Sequence, residues 1–154
     1  MSTNHEQHCR EIFTVIMTLF REIRCCSRDE AICLGVTFHQ FVILDAVAEK
    51  GEMDLAELHG VLSVEKSTTT RLVNPLLRRG LLRREKAPHD SRAVKLALTE
   101  AGRETHLKVR DCLLAFFAGI DRNIPAGQRD GVLEAVRIFA TAIRKAAAQC
   151  RCCA

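Results

Sequence analysis

The hydrophobic positions of the chain follow a helical period over most of its length. Near the N-terminus they recur at intervals of three and four residues, at Ile12, Ile16, Leu19, Phe20 and Ile23. This spacing places the apolar side chains on one face of a helix, which we predict to run from Cys9 to about Cys25. A second helix, capped by Thr37, is predicted to extend through Ala48.

Two more helices are predicted in the C-terminal third of the chain. The first should be capped by Thr99 and extend to about Arg122, and Pro125 then interrupts the helical pattern. The last helix has apolar residues at intervals of four, three and four, namely Val132, Val136, Phe139 and Ile143. These two helices and the N-terminal helix are too long and too apolar for one small domain to bury. We therefore expect them to pack against the same helices of a second subunit, with a monomeric helical bundle as the alternative.

Between these regions the chain shows the pattern of a helix–turn–helix followed by a β-hairpin. A short helix at Leu58–Leu62 and a second helix precede Gly80, where the apolar period changes from helical to alternating. Two strands are then predicted, Leu82–Lys86 and Ala93–Leu98, joined by a turn over Ala87–Arg92. In such a module the second helix enters the major groove of DNA and the hairpin forms a wing beside it.

Four residues around this module change the details of the prediction. Met53 is expected to begin a short strand that joins the wing sheet. His59 should be exposed on the short helix. Glu65 is a poor side-chain cap for the second helix, although its charge suits a helix N-terminus. Pro75 lacks a backbone N–H group, so it should bend or end that helix.

The charge of the chain is concentrated in the same module. The net charge is +4, but residues 65–95 contain nine Lys or Arg and three Asp or Glu, which gives +6 there and −2 elsewhere. A basic patch confined to a helix and a wing is typical of phosphate binding. A solvated basic face without a ligand is the alternative.

Several motifs of this region resemble those of one protein family. They are the run from Lys66 to Val73, Arg79-Gly80-Leu81, Asp90-Ser91-Arg92, and Leu98-Thr99-Glu100-Ala101-Gly102. Together with the chain length and the helix order, they resemble the MarR family of bacterial winged-helix regulators. The resemblance implies a mainly α fold with six helices and a wing sheet of two or three strands. We expect one chain over 1–154, with a winged helix-turn-helix at 37–98, a helical dimerisation region at 8–36 and 99–150, and a cysteine-rich tail at 151–154.

The residues expected to contact DNA lie on the second helix of the module and on the wing. Leu72 and Leu76, with Val73 and Leu77 beside them, are expected to form the buried stripe, which leaves six polar residues for the groove: Lys66, Ser67, Thr68, Thr70, Arg71 and Asn74. Hydroxyls can bond to phosphates or base edges, and an Arg can contact guanine through two hydrogen bonds. In the wing, Lys86 and His89 could contact phosphates. The resemblance implies that Arg92 reaches the minor groove, and Asp90 is expected to brace Arg92 or the turn.

The chain contains eight cysteines, and most of them are clustered. Cys25, Cys26 and Cys33 form one group and Cys150, Cys152 and Cys153 another, whereas Cys112 is expected in the core. Thiolates bind soft ions such as Zn(II), Cu(I), Hg(II) or As(III), and exposed thiols are oxidised to sulfenic acid or disulfide. Inert cysteines are the third interpretation. No cofactor is certain, and a soft metal or metalloid ion held by thiolates is the candidate.

These observations predict a homodimeric regulator, most simply a repressor, on a pseudo-palindromic DNA duplex that an effector releases. The resemblance also implies aromatic acids or amphipathic drugs as effectors. An enzyme is disfavoured, since there is no phosphate-binding Gly-rich loop, nucleophile elbow or carboxylate pair. A protein-interaction module is a further alternative. No apolar run approaches a membrane span and the N-terminus does not resemble a secretory signal, so we expect a cytoplasmic protein.

Overall fold

The structure, a computed structural model, describes residues 2–22, 33–62, 64–87 and 90–149. These residues form six α-helices and three strands in the order α1 (Ser2–Glu22), α2 (Phe38–Lys50), β1 (Glu52–Met53), α3 (Leu55–Leu62), α4 (Lys66–Arg78), β2 (Leu82–Ala87), β3 (Asp90–Leu98), α5 (Glu100–Asn123) and α6 (Arg129–Gln149). The predicted fold class, mainly α with a small β-wing, is confirmed. The chain divides into two compact units, residues 1–112 and residues 113–154.

The core of the first unit lies beneath α2, α3 and α4. Thr37 caps α2 through a reciprocal pair of hydrogen bonds with Gln40, as a capping box requires. The same arrangement begins α3, where the Asp54 carboxylate accepts from the Glu57 backbone and the Glu57 carboxylate accepts from the Asp54 backbone, both at 2.8 Å. The fully buried side chains include Ile43, Leu44, Val47, Leu58, Leu76 and Leu96. Helices α2, α3 and α4 and strand β3 therefore share one core.

The three strands form an antiparallel sheet in the order β1-β3-β2. Met53 pairs with Leu96 and Leu82 pairs with Leu98, and all four of these side chains are buried. A short strand is thus confirmed, but it covers Glu52–Met53 instead of the predicted Met53–Leu55, because Leu55 already begins α3. The predicted turn over Ala87–Arg92 is too long, because β2 continues to Ala87 and β3 already begins at Asp90. Backbone hydrogen bonds between β2 and β3 extend the hairpin past the residues whose apolar and polar side chains alternate.

The junction between the sheet and α5 explains the Leu98-Thr99-x-x-Gly102 motif. The Thr99 hydroxyl donates to the Gly80 carbonyl oxygen at 2.6 Å and accepts from the Gly102 backbone N–H at 2.9 Å, so it caps α5 as predicted. A Cβ atom on Gly102 would lie 2.0 Å from the Leu81 carbonyl oxygen. Only glycine lets the first turn of α5 approach the backbone this closely.

Several helices extend past the bounds that the sequence predicted; α3, for example, begins at Leu55 instead of Leu58. The N-terminal helix begins at Ser2 instead of Cys9, and the Glu6–Arg10 ion pair at 3.2 Å supports the added turn. Helix α4 continues through Pro75 to Arg78, so the expectation that Pro75 could end it is wrong. A proline costs one hydrogen bond, and the burial of Leu76 just beyond it outweighs that loss.

The second unit contains the end of α5 and all of α6. Arg129 connects the two helices, since it donates to the Ile124 carbonyl oxygen at 3.3 Å and lies 3.5 Å from the Asp121 carboxylate. No residue of α6 is buried, and Val132, Val136 and Ile143 are between 39% and 59% exposed. Within the described ranges, no helix has the length and hydropathy needed to cross a membrane.

Candidate nucleic-acid interface

Helix α4 directs one face into the core and leaves a polar face outside. Thr69, Val73 and Leu76 are buried, at intervals of four and three residues. The predicted stripe was therefore right about Val73 and Leu76, whereas Leu72 and Leu77 are only half-buried. Of the six predicted groove residues, four are exposed and two are half-buried; the exposed ones are Lys66, Ser67, Thr70 and Arg71, and the half-buried ones are Thr68 and Asn74.

The N-terminus of α4 begins without a side-chain cap, as predicted for Glu65. The Glu65 carboxylate makes no capping hydrogen bond, although the Glu65 carbonyl accepts from the Thr69 backbone at 3.0 Å. The Thr70 hydroxyl donates to the Lys66 carbonyl at 3.2 Å, which leaves its methyl group and lone pairs available to a ligand. The N-terminal half of α4 thus presents hydroxyls, a lysine and an arginine on one side.

A hollow of about 300 Å³ separates α3 from the start of α4. It is lined by Leu55, Ala56, His59, Lys66, Thr69 and Thr70. His59 was expected to be exposed, but it is half-buried, and among the described residues nothing bonds its buried Nδ1 atom. A buried ring nitrogen without a partner costs free energy, so this edge of the hollow is suited to a polar ligand. The position of His59 in the short helix was the one sequence signal for this residue.

A second groove, of about 530 Å³, runs between the end of α4 and strand β2. Its lining includes three arginines, Arg78, Arg83 and Arg84, together with Asn74. Arg78 and Arg84 have no ion pair within the described part of the chain, whereas Arg83 bonds to Glu85. The groove continues the polar face of α4 toward the wing, and its charge suits a phosphate backbone.

Two bases of the patch predicted from the sequence have structural roles instead. Lys95 lies 2.6 Å from the Glu52 carboxylate, and this hydrogen bond raises the pKa of the Lys95 ammonium group. Arg79 donates to the carbonyl oxygens of Leu34 and Gly35, each at 2.6 Å. Both of these carbonyls belong to residues with left-handed backbone conformations. A count of charges along the sequence therefore overstates the charge available to DNA.

The predicted wing residues are placed only in part. Lys86 lies in β2, and Asp90 and Arg92 lie in β3 rather than in the turn. The side chains of these three residues, and all of His89, lie outside the described residues. The predicted contacts of Arg92 and the bracing role of Asp90 stay predictions.

The predicted cysteine clusters fall almost entirely outside the described residues, namely Cys25, Cys26, Cys150, Cys152 and Cys153. The sixth member, Cys33, is described, and its Sγ atom lies 2.8 Å from that of Cys112. Cys112 is exposed, so the expectation that it belongs to the core is wrong. No group of three or more His, Cys, Asp or Glu suited to a metal ion occurs among the residues that the structure describes.

A buried histidine joins α2 to α5 within the first unit. His106 is 6% exposed, and its Nε2 atom lies 2.7 Å from the Asp45 carboxylate. Its ring stacks on Phe41 with centroids 5.6 Å apart. This contact fixes the first half of α5 against α2.

Comparison with known proteins agrees with this architecture. Residues 36–94 match the model of the MarR family. The chain is 27% identical over 115 residues to YhbI of Bacillus subtilis (strain 168), an HTH-type transcriptional regulator, and the alignment covers 75% of this chain and 72% of YhbI.

Two solved structures share the fold. A MarR transcriptional regulator from Methanosarcina mazei Go1 is 21% identical with a TM-score of 0.70, over 88% of this chain and 98% of that one. BpsR of Bordetella bronchiseptica, whose DNA binding 6-hydroxynicotinic acid regulates, is 18% identical with a TM-score of 0.67, over 84% of this chain and 98% of that one. The motif-bearing module, the helix order and these matches agree: residues 36–94 match the MarR family, and three quarters of the chain is similar to an HTH-type transcriptional regulator.

Proposed function

We propose that this protein is a homodimeric repressor that binds a pseudo-palindromic duplex and leaves it when an effector acts. The observation that supports DNA contact best is the continuous polar surface from the start of α4 to the arginine-lined groove beside β2. A winged helix of this kind inserts its second helix into the major groove. The partner is double-stranded DNA rather than a single strand, because Trp and Tyr, which stack on unpaired bases, are absent.

The residues of α4 divide between base contacts and phosphate contacts. Arg71 is exposed and has no ion pair in the described part of the chain, so it is the candidate for a bidentate bond to guanine. Ser67 and Thr70 offer hydroxyls to base edges or phosphates. Thr68 and Asn74 border the same surface, and Lys66 and Arg78 supply charge to the backbone. We assign base recognition to the first two turns of α4 for this reason.

The wing completes the proposed interface. Lys86, His89 and Arg92 lie on or beside the hairpin that extends from the core, and Asp90 is proposed to hold Arg92 in place. An arginine in the minor groove binds according to the width of the groove and the charge of the phosphates, without base-specific hydrogen bonds. Its contribution should therefore depend strongly on salt concentration.

The apolar helices support the homodimer. Phe13 of α1, Leu114 of α5 and Val136 of α6 are each more than half exposed. Exposed apolar surface on this scale marks an interaction site, and a two-fold axis lets the same helices cover one another. Such a dimer would place two α4 helices about 34–36 Å apart, on successive major grooves.

The effector is proposed to act on thiols. A soft metal or metalloid ion would bind at Cys25, Cys26 and Cys33 or at Cys150, Cys152 and Cys153, whereas an oxidant would convert thiols to a disulfide. An aromatic acid is the rival effector, since a small aromatic acid regulates the structural neighbour BpsR. Any of these must bind the two dimer geometries with different affinity in order to release DNA.

The proposal is tested by selecting duplexes from a random-sequence library with the reduced protein. We expect a selected site with two related half-sites. Fluorescence anisotropy should then show Arg71→Ala weakening binding by about 10- to 100-fold and Arg92→Ala reducing the salt slope by about 0.9. Arg110→Ala, at an exposed arginine of α5, is the charge-matched control and should bind like the parent protein.

Further measurements separate the remaining parts of the proposal. Transcription from a promoter that contains the selected site should fall when the protein is added. The bound complex is then titrated separately with As(III), Hg(II), Cu(I), Zn(II), hydrogen peroxide and 6-hydroxynicotinic acid. Enrichment of no duplex, or equal losses for Arg71→Ala and Arg110→Ala, would contradict the assignment of α4 to DNA.

A further inference from the structure

Two cysteines that are far apart in the sequence meet in the first unit. Cys33 lies directly before the turn that leads into α2, and Cys112 lies near the middle of α5. Their Sγ atoms are 2.8 Å apart, within about 1 Å of the length of a disulfide bond. The sequence had grouped Cys33 with Cys25 and Cys26 and had assigned Cys112 to the core, so this pair is a product of the fold.

We propose that Cys33 and Cys112 are a dithiol site for hydroperoxides, and that their intrachain disulfide lowers the affinity of the protein for DNA. The effect on DNA rests on the proposed function. Formation of the disulfide does not, because it depends only on the two sulfurs and their surroundings.

The separation of the sulfur atoms favours a disulfide over a bound ion. A thiolate sulfur lies about 2.3 Å from a zinc ion, so two sulfurs on one tetrahedral ion are about 3.8 Å apart. The observed 2.8 Å is well below that separation. In the described part of the chain no third His, Cys, Asp or Glu joins the pair to form a group that could hold a metal ion.

The surroundings of the pair assign different roles to the two sulfurs. Cys112 donates its S–H to the Cys33 sulfur, and this hydrogen bond, with some desolvation, raises the pKa of the Cys112 thiol. Because Cys112 is the donor in this contact, we assign the first attack to the Cys33 sulfur and the second to Cys112. Cys112 is exposed and Cys33 is half-buried, so a small peroxide can reach the pair.

The reaction is a two-electron oxidation with hydroperoxide as the oxidant. The Cys33 thiolate attacks the peroxide, an S–O bond forms, the O–O bond breaks, and an alcohol (or water, from hydrogen peroxide) leaves with a proton. The Cys112 sulfur then attacks the Cys33 sulfenic acid, an S–S bond forms, the S–O bond breaks, and water leaves with the proton of Cys112. Overall, two thiols and one hydroperoxide give one disulfide, one alcohol and one water.

A specific contact connects this pair to the DNA-binding helix. Cys33 accepts a backbone hydrogen bond from Val36 at 3.0 Å, which closes the turn through Leu34 and Gly35. Arg79, the residue after α4, donates to the carbonyl oxygens of both turn residues at 2.6 Å. The turn therefore links Cys33 to the C-terminal end of α4, and this link is the proposed route from the disulfide to the DNA contact.

The test uses the full chain with the other six cysteines replaced by serine, at Cys9, Cys25, Cys26, Cys150, Cys152 and Cys153. One equivalent of hydrogen peroxide should remove two hydrogen atoms from the intact mass, and peptide mapping should join the Cys33 and Cys112 peptides within one chain. The disulfide closes a long loop, so it should raise the denaturation temperature by an amount on the order of 10 °C, and dithiothreitol should reverse the shift. Adding Cys33→Ser or Cys112→Ser should abolish these changes.

The DNA readout uses the duplex selected by the reduced protein. Oxidation should weaken binding by about 10-fold or more, and Arg79→Gln should shrink this difference between oxidised and reduced protein while circular dichroism shows a folded chain. Oxidation to sulfinic acid without a crosslink would overturn the dithiol assignment, and so would a crosslink that forms only between subunits. The same holds if the protein is first loaded with Hg(II) without peroxide and the adduct then resists conversion to the disulfide by peroxide. A Cys33–Cys112 disulfide that leaves DNA affinity unchanged would overturn its regulatory role. Failure of the reduced protein to select any duplex would instead refute the proposed function. The mass measurement would still test whether the disulfide forms, because it does not depend on DNA binding.

Discussion

Two regions of the chain differ in how their apolar side chains are covered: the module from Val36 to Cys112 and the helices from Leu113 to Gln149. In the module, apolar residues spaced for helices and strands are buried by neighbouring elements of the same chain, and Val36, Ile43, Leu76 and Val109 are 0% exposed. Among residues 113–149, only Leu113 is buried. Both regions contain a helix whose apolar residues recur at intervals of three and four, with Val73 and Leu76 in α4 and Val136 and Phe139 in α6. Periodicity therefore identifies a helix and its apolar face, but not the surface that covers this face.

This contrast has a consequence for stability. The module should owe its stability to contacts within one chain, whereas α6 should depend on the concentration of a second chain if the proposed dimer is correct. Substitutions in the two regions should differ in kind: those in the module change the free energy of unfolding, and those in α6 change association. Three predictions follow from this difference, in decreasing order of expected effect.

The largest effect is expected from Gly102→Ala in the module. The added Cβ atom would lie 2.0 Å from the Leu81 carbonyl oxygen, and neither backbone segment can move without disturbing Thr99, which bonds to both sides. We expect the free energy of unfolding to fall by about 3 kcal/mol or more, measured by urea denaturation at fixed protein concentration. Gly131→Ala in α6, where the added Cβ meets nothing within 4 Å, is the control and should be neutral or slightly stabilising. Equal losses for both variants would show that the close approach at Gly102 does not determine stability.

The second effect is expected from Val136→Glu in α6, where the side chain is 59% exposed in the single chain. A buried charge at a dimer interface should convert the dimer to a monomer in light scattering, and should weaken binding to the two-half-site duplex by about 100-fold. Binding to a single half-site should change little. Thr141→Glu adds the same charge about 140° around the helix and should leave the dimer intact. A Val136→Glu protein that stays dimeric would exclude this face of α6 from the interface.

The smallest effect is expected from the ion pair between Lys50 and Glu57 on the surface of the module. The hydrogen bond from Lys50, with one from the Asp54 backbone, lowers the pKa of the Glu57 carboxyl group. A carboxyl group with a lowered pKa stabilises the fold above its unfolded pKa of about 4.3, and this contribution disappears as the pH falls through the folded value. Glu57→Gln should therefore make the acid limb of the stability curve shallower, as followed by thermal denaturation between neutral and acidic pH. Glu104→Gln, at an exposed residue of α5, is the matched control, and an equally changed acid limb there would refute the role of the pair.

Much of the DNA-binding module could be predicted from the sequence because its signals are local. The change of apolar period at Gly80, the caps at Thr37 and Thr99 and the short strand at Met53 were all predicted and are present. The division of α4 into a buried and an outer face was also largely predictable from a period of 3.6 residues. The boundaries were less accurate. The hairpin ladder and the burial of Leu76 extend β3 and α4 past the residues at which local propensity would stop them.

The candidate site was harder to predict because it depends on pairs that are distant in the sequence. Arg79 and Lys95 count as bases of the patch in the sequence, yet Arg79 bonds to the turn at Leu34 and Lys95 to Glu52. His59, expected to be exposed, has a buried Nδ1 atom without a hydrogen-bond partner among the described residues. No local pattern distinguishes an arginine that will contact phosphate from one that holds a turn.

The sequence by itself determined the kinds and order of the elements and the positions of the caps, since each depends on backbone propensity or on contacts within a few residues. Tertiary structure decided which apolar faces are covered, which basic side chains remain available, and that Cys33 meets Cys112 across nearly eighty residues. The physical reason is the range of the interactions. Caps and periodicity act within a few residues, whereas burial, ion pairing and the approach of two thiols depend on which segments the folded chain brings together.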